Sequence, residues 1–120
     1  MKNKFPISIV CDNVRSLYNV GAIFRISDCA NIQHLYLCGI TGYPKDDPNW
    51  FPTKRIEKTA LGATKTVSWE YRKDAVRLIK KLKNISINQR LSSNQHQSAR
   101  PVRPIKIYAL EIDKRAKPYN

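Results

Sequence analysis

Residues 5–11 (FPISIVC) form a continuous apolar run rich in β-branched side chains, the pattern of a strand buried on both faces in a parallel sheet. The run stops at Asp12-Asn13. From Asn19 the spacing becomes helical. Val20, Ile23, Phe24 and Ser27 fall on one side of a 3.6-residue period, which predicts a helix over residues 20–30 with Asn19 as its cap. A second short apolar run, residues 34–38 (HLYLC), reads as a strand, and the turn-rich stretch 39–49 (GITGYPKDDPN) closes it.

Further on, residues 54–61 predict a short helix ended by Gly62, and residues 66–71 (TVSWEY) a third strand. Residues 74–83 (DAVRLIKKLK) place Ala75, Leu78, Ile79 and Leu82 on one face, with basic residues toward the end where the helix dipole favours them. Residues 105–111 (IKIYALE) read as a fourth strand. Strands alternating with helices in this order predict an α/β fold, a parallel right-handed sheet with flanking helices. Between them, residues 84–104 are polar, rich in Ser, Asn and Gln, and are expected to be a loop or a disordered insertion. No internal repeat is visible.

A chain of 120 residues that is 42% apolar is expected to form one domain, 1–120, with a core that needs neither disulfide nor metal. Cys11, Cys29 and Cys38 are odd in number, lack CxxC spacing and sit in apolar segments, so they are read as reduced and buried. No metal site is expected, since His34 and His96 add too few ligands. No run reaches the roughly 18 apolar residues of a membrane span, and the start lacks the apolar stretch of a secretory signal, so the expected location is the cytoplasm and no membrane partner is expected.

Charge changes the picture more. The chain holds 22 Lys and Arg against 9 Asp and Glu, a net charge of +13. Residues 1–48 carry 5 basic and 4 acidic side chains, residues 49–83 carry 10 and 3, and residues 84–120 carry 7 and 2. The excess therefore begins after the second predicted strand. Such a balance attracts polyanions, nucleic acid first.

In a parallel sheet, ligands bind beyond the carboxyl ends of the strands, and the loop after the first strand is unusually specified. From residue 13 it reads N-x-R-S-x-x-N-x-G-x-x-x-R. Asn13 and Asn19 offer amide donors and acceptors, Arg15 a planar fork for phosphate, and Gly21 a place of close approach. Arg25 lies inside an otherwise apolar stretch and needs a partner, either a ligand or a carboxylate such as Asp28 or Asp12. Plain alternatives stand beside the others: a helix cap for Asn19, a solvated loop charge for Arg15.

The stretch from Val10 to Pro44 closely resembles the first motif of the SpoU family of RNA ribose 2'-O-methyltransferases, in the SPOUT superfamily. The resemblance continues through LYLCGITGYP, KTALGA at 58–63, TVSWEY at 66–71 and the ALE that ends at Glu111. It implies a trefoil-knotted α/β homodimer that transfers a methyl group from S-adenosylmethionine to a ribose 2'-hydroxyl of tRNA or rRNA. It further implies Arg25 as the catalytic arginine, Asn19 as the asparagine supporting the active site, and Asn13 and Arg15 as residues near the RNA backbone. A cation at Arg25 would stabilise charge developing on the attacking oxygen.

The family's second and third motifs, a GNE-like loop and a serine-asparagine segment, are not found within residues 1–120, so no residue is assigned to the cofactor. The fold expected is accordingly an incomplete SPOUT domain without the knotted C-terminal part, a chain that by itself is not expected to be active and that a complementing chain would complete. Two functions follow. One is an RNA 2'-O-methyltransferase, here an N-terminal part. The other is a catalytically inactive, basic RNA-binding remnant that uses Lys54, Arg55, Lys58, Lys65 and the 84–104 segment.

Overall fold

The computed structural model describes residues 3–93 and 106–108. The chain divides into two compact units, Met1–Ile79 and Lys80–Asn120. The first holds strands β1 (Phe5–Asp12), β2 (Ile32–Cys38) and β3 (Trp69–Arg72), and helices α1 (Leu17–Cys29), α2 (Phe51–Ala60) and α3 (Ala63–Thr66). The strands form one parallel sheet in the order β1-β2-β3. Helix α4 (Ala75–Ser93) carries the chain from the first unit into the second.

Alternation along the strands sends Ile9, Cys11, Leu35, Leu37 and Trp69 to the sheet face covered by α1, α2 and α3, where they meet Val20, Phe24, Ile56, Ala60 and Ala63. Each large side chain buried there contributes about 1.5–3 kcal/mol. The core also fixes how closely the helices approach. A Cβ on Gly21 would collide with the Thr59 hydroxyl and the Ile56 carbonyl, so α1 rests on α2 backbone to backbone. The Thr59 hydroxyl then donates to the Tyr18 carbonyl at 2.7 Å.

Several expectations change, among them the strand expected over residues 66–71, which begins at Trp69 because Ala63–Thr66 form α3. Helix α1 starts a turn early, at Leu17, because the Ser16 side chain accepts from the Asn19 N–H at 3.2 Å; Ser16, not Asn19, is the cap. Strand β1 is not buried on both faces: residues 5–8 are exposed, Phe5 at 60%, and among the described residues only β2 pairs with it. Helix α2 ends at Ala60 with Leu61 in the left-handed region (φ 50°), one residue before Gly62. Helix α4 runs through residues 84–93, expected to be loop, since that stretch has no Pro or Gly to stop a helix already nucleated at Asp74. Of the expected fourth strand, Lys106–Tyr108 carry no strand structure, and the rest lies outside the described residues, as do residues 94–104 of the expected loop.

Candidate nucleic-acid interface

The three strands deliver their carboxyl ends, Asp12, Cys38 and Arg72, to one edge of the sheet. There the loops after β1 and β2 are tied together. Asn13 takes a left-handed backbone (φ 54°), which asparagine tolerates, and turns its Oδ1 to accept from the Ile40 N–H at 3.0 Å. Thr41, buried in the turn between Ile40 and Gly42, works in both directions: its hydroxyl accepts from the Val14 N–H at 3.0 Å and donates to the Cys11 carbonyl at 3.3 Å. Gly39, at φ 66°, donates its N–H to the Arg72 carbonyl and accepts from the Tyr71 hydroxyl at 2.7 Å.

This frame decides where the motif residues stand. Asn13 spends its carbonyl oxygen on the neighbouring loop. Arg15 is exposed on the loop that Asn13 and Thr41 hold. Asn19 is exposed in the first turn of α1, and Arg25 is exposed two turns further on. Six helical residues separate them, a rise of about 9 Å and a rotation of about 120°, so α1 does not bring Asn19 and Arg25 side by side. Neither Asp28 nor Asp12 pairs with Arg25: the Asp28 carboxylate accepts instead from the Thr66 hydroxyl at 2.9 Å.

Tyr18 shares a helix face with Arg25, seven residues on. The α1–α2 contact sets Arg55 over the Tyr18 ring at 5.4 Å and over the Phe51 ring at 4.7 Å. Lys54 and Lys58, four apart on α2, lie on its exposed side, opposite buried Thr53, Ile56 and Ala60. Lys65 is exposed on α3. None of Arg15, Arg25, Lys54, Arg55, Lys58 and Lys65 forms an ion pair among the described residues. Nearby Glu57 turns to the Thr64 hydroxyl instead. The cations are therefore left facing solvent, where a polyanion can reach them.

The opposite sheet face is self-contained. His34 Nδ1 meets the Ser68 hydroxyl at 2.9 Å, and Arg72 pairs with Glu70 at 3.2 Å. Burial holds the imidazole below its usual range, outweighing the Glu70 carboxylate 3.8 Å away. Burial also pushes the Cys11 thiol up to about 11, with the Cys38 thiol raised as well. Cys29, expected to be buried, is exposed, because the helix turn carries it away from buried Ser27. No group of three or more His, Cys, Asp or Glu side chains among the described residues is placed to hold a metal ion. No described helix is long and apolar enough to cross a membrane.

Three features escaped the sequence reading: the Thr41 staple, the Ser16 cap, and the meeting of Tyr43, Trp69 and Tyr71. A hydroxyl residue between two glycines, in GITG, was the available signal for the first. Compared with known proteins, the sequence matches the model of the SpoU rRNA Methylase family over residues 6–115. No curated protein and no solved structure matches it significantly.

Proposed function

The chain belongs to the SpoU rRNA methylase family, and from that membership we propose that it acts on RNA through its unpaired cations, in a methyl transfer to a ribose 2'-hydroxyl. The observation that carries this reading is Arg25: an exposed guanidinium on α1, with no carboxylate partner among the described residues although Asp28 lies three residues on. A guanidinium keeps its proton, so its role is to orient and to stabilise negative charge on the reacting ribose oxygen or the adjoining phosphate. Arg15, Lys54, Arg55, Lys58 and Lys65 hold the backbone of a tRNA or rRNA segment in the cytoplasm.

S-adenosylmethionine is the methyl donor that family membership implies. No described residue is assigned to holding it: the depression beside Tyr43 is wide open, so a group seated there would stay largely in solvent. A second reading, a basic RNA-binding chain without transfer, is favoured by the exposed cations gathered on α2 and α3.

The test is transfer of labelled methyl from S-adenosylmethionine to bulk tRNA and rRNA, with RNA affinity measured alongside. The first reading expects 2'-O-methyl product once a complementing chain supplies the cofactor site, a loss of about 10²–10³-fold for Arg25→Ala, and RNA affinity nearly unchanged by that substitution. Salt-sensitive RNA binding without product, in wild type and variant alike, supports the second. Absence of RNA binding contradicts both.

A further inference from the structure

The cluster of rings at the carboxyl edge of the sheet has no part in the reading above. Trp69 and Tyr71 alternate along β3 and so project to the same face, the one on which Trp69 meets Phe24 edge-on at 5.8 Å. Tyr43, from the loop after β2, sets its ring 4.6 Å from Tyr71 and 6.4 Å from Trp69. With Pro44 these rings line an open depression of about 630 Å³, within the size range of small-ligand sites.

The rings are fixed without a ligand. The Trp69 indole N–H donates to the Thr64 carbonyl at 3.2 Å, and the Tyr71 hydroxyl donates to the Gly39 carbonyl. Tyr71, its hydroxyl held by Gly39, leaves 36% of its surface exposed. Asp46 and Asp47 line the depression and disfavour phosphate within it. Lys45 lines it too, its ammonium 4.1 Å from the Trp50 ring centroid, and Lys73 is exposed just past Tyr71.

We propose that this depression takes one unpaired nucleobase of the RNA, stacked on Tyr43 and Tyr71, while Lys45 and Lys73 hold the flanking phosphates outside it. The proposal rests on the RNA reading and adds to it a preference for unpaired strands. A π-face suits every base, so the site selects for an accessible base more than for its identity. A paired helix keeps its bases stacked inside and offers only phosphates to the rim.

The probes are an RNA hairpin with an unpaired loop and a fully paired duplex of equal length, titrated against the whole chain at fixed salt. Wild type is expected to prefer the hairpin. Tyr71→Leu, which keeps an apolar side chain and removes the ring, is expected to weaken hairpin binding about tenfold and leave duplex binding unchanged. Tyr71→Phe keeps the ring and is expected to keep the preference; circular dichroism checks that each variant is folded. If Tyr71→Leu leaves the hairpin preference intact, or weakens both RNAs equally, the stacking site is refuted while the RNA reading stands. If wild type binds neither RNA, both fall.

Discussion

The segment that joins β1 to α1 and the surface of α2 and α3 are both rich in polar side chains, and the structure uses them in opposite ways. In the first, Asn13 and Ser16, with Thr41 from the loop after β2, spend their hydrogen bonds on neighbouring backbone, and Gly21 in α1 lets two helices touch. On the second, Lys54, Arg55, Lys58 and Lys65 make no ion pair among the described residues, although Glu57 lies among them in sequence. Arg15, in the first segment, and Arg25, in α1, belong with the second group. The difference separates two jobs inside one motif: its uncharged residues build the frame, and its cations are held out from it.

Substitutions can break that division. The largest effect is expected from Gly21→Ala, where the added methyl meets the α2 backbone and pushes α1 away; urea unfolding should show a loss of about 1–3 kcal/mol. Thr41→Val keeps the shape but leaves the partly buried Val14 N–H without its partner, at a cost of roughly 1–2 kcal/mol in the same assay. Lys54→Ala with Lys58→Ala should leave stability within about 0.5 kcal/mol while weakening RNA binding in a filter assay. A frame residue that changed RNA affinity without changing stability would blur the division.

Smaller still is the effect of pH through His34. Burial favours the neutral imidazole in the folded chain, so the unfolded chain binds the proton more readily. The stability this group contributes is present above about pH 6.5 and lost as pH falls below it. His34→Gln should flatten that part of the stability curve, measured by thermal melts across the acid range.

How much of this the sequence discloses depends on how local the cause is. The period of Val20, Phe24 and Ser27 discloses α1, but its start depends on whether Ser16 or Asn19 caps, a choice between two good capping residues that spacing does not resolve. The apolar run of β1 predicts burial on both faces, but a sequence does not show what covers a strand, and residues 5–8 are exposed. Asn, Ser and Gln made residues 84–93 look like loop, although they only weaken a helix and do not stop it. The cations of the candidate interface are plain from charge alone. Their lack of partners is not, because Asp28 is claimed by Thr66, 38 residues away. The ring cluster joins residues 43, 69 and 71, brought together only by the sheet.

The most direct test of the central claim, that the unpaired cations meet an RNA backbone, is the affinity of the whole chain for single-stranded RNA as a function of salt. The account predicts a linear fall of log affinity with log salt, of about 0.7 for each phosphate contacted, and a shallower slope when Lys54, Arg55 and Lys58 are replaced by alanine. An affinity that does not change with salt, or a slope untouched by the triple replacement, would contradict it.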